Sequence, residues 1–220
     1  MAGVMSRWRL GLAIAGLAGS VLAAQSSRDT SGLFSPLHLG LLEAPDRHVW
    51  QQPMRIMDTL QIADGTRVAD IGAGGGWFTV RLAQRVGPNG RVFAEDIQPL
   101  MIESTKRRVE REQYANVTTI LGIADDPKLP GNLGAVLMCD VYSQLKEPQK
   151  LLRHVRDALA PNGLLGVVDF KRDGAGGPGP AYEERIDPET VVRDATAAGL
   201  VLRSRETFLK YQYFLVFGKS

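Results

Sequence analysis

The run Asp70-Ile71-Gly72-Ala73-Gly74-Gly75-Gly76-Trp77 constrains this chain more than any other stretch. It sets an acid and repeated glycines between a short apolar run, Arg67–Ile71, and a helix-spaced segment over residues 77–86. A strand that turns through glycines into a helix aims backbone N–H groups at whatever lies beyond its end, and residues without a Cβ let that ligand come close. A dinucleotide fingerprint, Gly-x-Gly-x-x-Gly, would need a small third residue at position 77, where this chain has Trp77. Asp70 argues the same way, since a carboxylate is a poor neighbour for a diphosphate and a good one for an ammonium group. The junction therefore reads as shaped for a nucleoside that carries an amino acid and no phosphates.

Periodicity places that junction at the start of an α/β fold. Short apolar runs alternate with helix-spaced segments from residue 45 onward: strands over 67–71, 91–96, 117–121, 135–140 and 163–169, with helices over 77–86, 99–112 and 148–159 between them. Gly87-Pro88-Asn89-Gly90 stops the first of these helices, and Pro99 and Pro148 sit in the first turns of the others. After a Gly- and Pro-rich stretch and a helix over 187–198, two strands over 201–208 and 211–217 follow with only Leu209 and Lys210 between them. That gap is too short for a crossover helix, so the pair must be antiparallel. The expected architecture is a Rossmann-like, seven-stranded, mostly parallel sheet with a C-terminal antiparallel hairpin and helices on both faces.

Asp96 ends the second strand twenty residues past Gly76, where a carboxylate can accept hydrogen bonds from both hydroxyls of a ribose; capping the next helix is its competing role. Glu95 is the rival acid, but neighbours in a strand point to opposite faces. With Asp70-Ile-Gly-Ala-Gly-Gly-Gly, Ala94-Glu95-Asp96-Ile97, Met138-Cys139-Asp140-Val141-Tyr142 and Leu159-Ala160-Pro161-Asn162-Gly163, the chain resembles the class I S-adenosylmethionine-dependent methyltransferases over residues 45–217. The resemblance implies S-adenosyl-L-methionine as cofactor. It assigns Gly72, Gly74 and Gly76 to the cofactor's amino-acid and ribose portions, Asp70 to the ammonium, Asp96 to the ribose and Ile97 to packing on the adenine. An acid after the third strand commonly meets the adenine amino group in such proteins, and Asp125 is the candidate, although the usual position falls nearer Ile123.

The acceptor is expected beyond the fourth strand, beside Asp140, Tyr142, Ser143 and Gln144, because open α/β sheets bind ligands at the carboxyl ends of their strands. Asp140 and Tyr142 are the candidate catalytic residues. Relatives often carry a His pair where this chain has Ser143 and Gln144, so an imidazole base is missing there. His48 and Trp50 lie in a segment that would either cover the cofactor or pack as a short helix.

Charge narrows the partners. Lys and Arg number 26 against 24 Asp and Glu, and setting aside Arg7 and Arg9 leaves the two signs level, so a broad nucleic-acid footprint is not expected. One cysteine, Cys139, excludes an internal disulfide and thiolate-cluster metal sites. Residues 1–24 read as a signal peptide or N-terminal anchor: two arginines, then an uncharged run from Leu10 to Ala24 that would span about 22 Å as a helix, short of the ~30 Å hydrocarbon core. An exported or periplasmic protein is expected, with a cytoplasmic or organellar one as the other reading, and with membrane contact only through an uncleaved N-terminal segment. Residues 25–44 read as a linker and 45–220 as the catalytic domain. The leading function is methyl transfer to a small-molecule acceptor. The alternatives are a non-catalytic nucleoside-binding protein that keeps the fold, and an NAD-dependent oxidoreductase.

Overall fold

The computed structural model describes residues 33–172 and 177–220. Its seven strands are β1 (Arg67–Ile71), β2 (Arg91–Asp96), β3 (Val117–Leu121), β4 (Leu133–Cys139), β5 (Leu159–Phe170), β6 (Leu200–Glu206) and β7 (Gln212–Lys219). They form one sheet in the order β3-β2-β1-β4-β5-β7-β6. The first five strands run parallel, and β7 is antiparallel to both β5 and β6. The chain order reverses between β1 and β4, so the crevice at their carboxyl ends is the fold's natural ligand position.

Helices cover both faces, which is why the central strands are near-continuous apolar runs. On one face α2 (Pro53–Thr59) and α3 (Trp77–Val86) bury Ile56, Met57, Leu60, Leu82 and Val86 against Val68, Val92, Leu137 and Phe214. On the other, α5 (Pro148–Ala158) and α6 (Pro188–Ala197) bury Leu152, Val155, Val191 and Ala195 against Val136, Leu165 and Phe217. The remaining helices, α1 (Arg47–Gln51) and α4 (Pro99–Arg111), flank the crevice. Pro opens α4, α5 and α6, where its missing N–H costs nothing, and Asp187 caps α6 by accepting from the N–H of Glu189.

Three boundaries differ from the sequence reading. β4 starts at Leu133 and stops at Cys139: Asp140 still donates its N–H to the Val168 carbonyl, but its left-handed backbone (φ 61°) turns the chain out of the strand. β5 begins directly after α5, pairing Leu159 with Leu133; the register then shifts, and an irregular segment holds Pro161 and Asn162 before regular pairing resumes at Leu164. The last hairpin has five connecting residues, 207–211, where the apolar run through Phe208 suggested two. The region read as a linker is described from residue 33, and it contains a 3-10 helix, Pro36–Glu43, rather than irregular chain. The expected signal segment, 1–24, lies outside the described residues, and among the described residues no helix is long and apolar enough to cross a membrane.

Gly166 shows how tightly β5 is packed. A Cβ there would stand 2.8 Å from Leu60 Cδ1 and 3.0 Å from Phe214 Cε2. Gly166→Ala is expected to lower stability by about 1–3 kcal/mol through overpacking, read as a shifted urea midpoint, with cofactor affinity unchanged.

Candidate functional site

The glycine loop is a set of left-handed turns that only glycine adopts without strain. Gly72, Gly74 and Gly76 have φ of 67°, 56° and 79°. A Cβ on Gly72 would overlap Val141 on the segment after β4, so that glycine lets the two crevice walls meet. Over Gly74 a Cβ would meet only the Gly72 carbonyl oxygen, at 3.9 Å, which leaves that side of the loop open to a ligand.

Asp96 anchors this loop. One carboxylate oxygen accepts from the N–H of Gly74 at 3.0 Å and the other from the N–H of Gln98 at 2.9 Å. The helix-start role is present, since Asp96 supports the start of α4, and its remaining lone pairs are available to a ligand. Burial raises its pKa, against the pull of those backbone donors. Ile97 follows, half-buried at the rim. Asp70 is buried beneath the loop and accepts from Thr79 Oγ1 at 2.6 Å. Desolvation pushes its pKa up to about 7, opposed by the Thr79 hydrogen bond and the Arg47 charge and assisted by Asp96. It can therefore act on an ammonium group through its field, from below the loop.

A segment before α1 crosses this crevice. The N–H of Phe34 donates to Gln144 Oε1 at 2.7 Å, and the carbonyl of Phe34 accepts from Gln98 Nε2 at 3.0 Å. Gln98 follows β2 and Gln144 follows β4, the two strands that flank β1. The 3-10 helix then lies on the glycine loop, with Leu39 Cδ2 and Glu43 Oε1 each 3.2 Å from where a Gly75 Cβ would be. Glu43 closes the path with an ion pair to Arg108 on α4 at 2.5 Å.

The acceptor side departs from expectation. Asp140 does not offer a free base: Oδ1 accepts from Gln212 Nε2 at 2.5 Å, Oδ2 accepts from Gln51 Nε2 at 3.2 Å, and Arg47 Nη2 lies 3.6 Å away. Its left-handed backbone turns it toward α1, so it fastens that helix across the strand ends. Tyr142 is buried, and its hydroxyl donates to Asp194 Oδ2 on α6 at 3.0 Å. The short helical turn after β4 sends its ring into the α5–α6 packing. Asp125 is engaged within the protein. It sits in the tight turn closed by Ile123 and Asp126 and pairs with Lys150 on α5, which holds its carboxyl below the usual range. Trp50 packs against Phe170 and Tyr211, and exposed His48 meets the Pro45 carbonyl, so α1 takes the packing role and the cover comes from residues 33–43.

Several residues near the crevice escaped the sequence reading. Arg47 stacks on Trp77 at 4.3 Å, with Arg81 on that ring at 3.6 Å, so Trp77 fills the place a third glycine would leave clear for a diphosphate. Asp169 is buried at the end of β5, its pKa pushed up to about 7 by desolvation and then by Asp140. Polar residues inside apolar strands, such as Asp169 in Gly166-Val167-Val168-Asp169-Phe170 and Gln212 at the head of β7, were the available signal.

A doubly wound sheet with an open glycine loop, a ribose-competent acid and a buried acid below the loop defines a nucleoside-binding α/β protein. Known proteins agree. Residues 68–163 match the family model described as a methyltransferase domain. The chain is 37% identical over 65 residues to a protein-L-isoaspartate O-methyltransferase of Methanothrix thermoacetophila, covering 30% of this chain and 31% of that protein. It is 30% identical over 107 residues to an (S)-coclaurine N-methyltransferase of Thalictrum flavum, covering 49% and 29%. The crystal structure of a SAM-dependent methyltransferase from Aquifex aeolicus superposes with a TM-score of 0.79 at 25% identity, covering 84% of this chain and 98% of that one. The chain spans under a third of the length of the two curated relatives. By fold and by these matches the chain carries a methyltransferase-like domain, similar to S-adenosylmethionine-dependent methyltransferases.

Two outcomes follow from this geometry. Gln98→Ala combined with Gln144→Ala removes both bonds to Phe34, each worth about 0.5–1.5 kcal/mol, and should speed release of S-adenosylhomocysteine at least about fivefold in stopped flow. Asp70, half-protonated near pH 7, must lose its proton to attract the cofactor's ammonium. S-adenosylhomocysteine affinity should therefore fall as the pH drops from 7 to 6, by up to about fivefold, and Asp70→Asn should remove that dependence in calorimetric titrations.

Proposed function

We propose that the protein transfers a methyl group from S-adenosylmethionine to a small-molecule acceptor. The observation that carries this reading is the pairing of the open loop at Gly74 with Asp96, whose carboxylate both shapes the loop and keeps lone pairs for a ribose. Bound S-adenosylmethionine supplies a methyl group already activated on a sulfonium. Transfer of that methyl to an acceptor heteroatom would leave S-adenosylhomocysteine, with the proton of an N–H or O–H acceptor passing to solvent.

The protein's own part is alignment and exclusion of water. Asp96 and the loop fix the nucleoside end, Asp70 attracts the ammonium end, and residues 33–43 roof the crevice. Asp140 is held by Gln51, Gln212 and Arg47, so it is not set as a free base on the acceptor side. Support for a small acceptor comes from the level charge of the body and from the naming of the coclaurine relative. We also infer export or membrane tethering through residues 1–24, on the strength of Arg7, Arg9 and the uncharged run from Leu10 to Ala24.

The caged Asp140 and buried Tyr142 favour one competing reading, a binding module that keeps the cofactor and has lost turnover. Calorimetry followed by incubation with labelled S-adenosylmethionine and a small-molecule extract separates the two: label transferred to an extractable product supports the enzyme, and binding without transfer supports the module. Asp96→Ala should weaken S-adenosylhomocysteine binding at least about tenfold, since hydrogen bonds to a charged group are worth about 1.5–3 kcal/mol. Unchanged affinity would remove the central support.

A further inference from the structure

Glu95 stands where the alternation of β2 calls for an apolar side chain. It is 2% exposed, and it points to the face opposite Asp96. Its neighbours across the sheet are Ile71 on β1 and Ile120 on β3. The carboxyl meets the backbone N–H of Gly72, the first residue after β1. It also lies against the bare Cα of Gly122, the first residue after β3, where any Cβ would overlap Oε1. The group is thus set at the carboxyl end of β2, between the openings of two loops and one residue from the ribose acid. Oε1 is buried and has no hydrogen-bond partner in the protein. Burial of an unpaired polar atom is costly unless something completes it.

S-adenosylmethionine offers few hydrogens that could do so. Its ammonium belongs to the Asp70 end of the loop and its ribose hydroxyls to Asp96, which leaves the exocyclic amino group of the adenine. Asp125, the other acid considered for that contact, is committed to Lys150. We propose that Glu95 is a specificity-determining residue of the cofactor site, its unpaired carboxyl oxygen accepting a hydrogen from the adenine amino group. Gly122 is then glycine because the accepting carboxyl occupies the space a side chain would take. This assignment rests on the cofactor reading above, and it places base recognition on β2 rather than on the loop after β3.

The test is a cycle of four affinities, measured by calorimetry on the full chain. The ligands are S-adenosylhomocysteine and its analogue with hydrogen in place of the 6-amino group; the proteins are the wild type and Glu95→Val. Wild type should bind the analogue about tenfold more weakly, the scale of one such hydrogen bond. Glu95→Val should lose about tenfold for S-adenosylhomocysteine and nothing for the analogue, and Glu95→Gln, which keeps an accepting oxygen, should recover most of the loss. Equal weakening for both ligands in Glu95→Val would mean that the acid only supports the loop and would overturn the assignment. Should Glu95→Val fail to fold, the wild type alone decides, because equal affinity for the two ligands overturns the proposal. Failure of the wild type to bind either nucleoside would instead strike the cofactor reading.

Discussion

The Asp96 carboxylate holds the N–H of Gly74 and the N–H of Gln98, and Thr105 on α4 donates to the Gly74 carbonyl at 2.8 Å. Both polar groups of one left-handed glycine are thereby clasped by the second βα unit. A loop of this kind has no ladder of its own, so its shape is borrowed from the neighbour that supplies Asp96. Loop geometry and the ribose role proposed for Asp96 consequently rise or fall together. Pre-organisation of this sort lowers the ordering cost of binding.

Around that clasp the site is roofed by chain that precedes β1. Arg47 lies against Trp77 and beside Asp140, while Gln51 donates to Asp140 and to Gln212, so a five-residue helix joins α3, β4 and β7 through polar contacts. α1 is too short to be stable alone. Its position is set by these buried partners, and Asp140 is the hub on which they converge. The strained backbone of Asp140 is the local cost of aiming its carboxylate at α1.

Much of this was legible in the sequence. Glycine and proline punctuation marked the helix ends, apolar runs gave all seven strands, and Asp96 stood at the expected distance from the loop. What was hidden has common physical roots. The direction of Asp140 depends on a left-handed φ that Asp rarely adopts, and no pattern of neighbours announces it. Asp125 was read from its place after β3, but the tight turn of residues 123–126 swings it to Lys150. Tyr142 was read as a candidate catalytic residue beyond the fourth strand, and its partner Asp194 lies fifty-two residues away. Residues 33–43 carry no strong periodicity, and their path is fixed by two glutamine side chains from distant loops.

The reversed strand has a bearing on how the molecule is made. β7, the last strand in the chain, is inserted between β5 and β6 rather than added at an edge. Until residues 212–219 have left the ribosome, β5 presents an unpaired border of N–H and C=O groups, and β6 has no partner at all. Closure of the sheet therefore waits until residues 212–219 are available. The half of the sheet holding β5 cannot lock before β7 is in place.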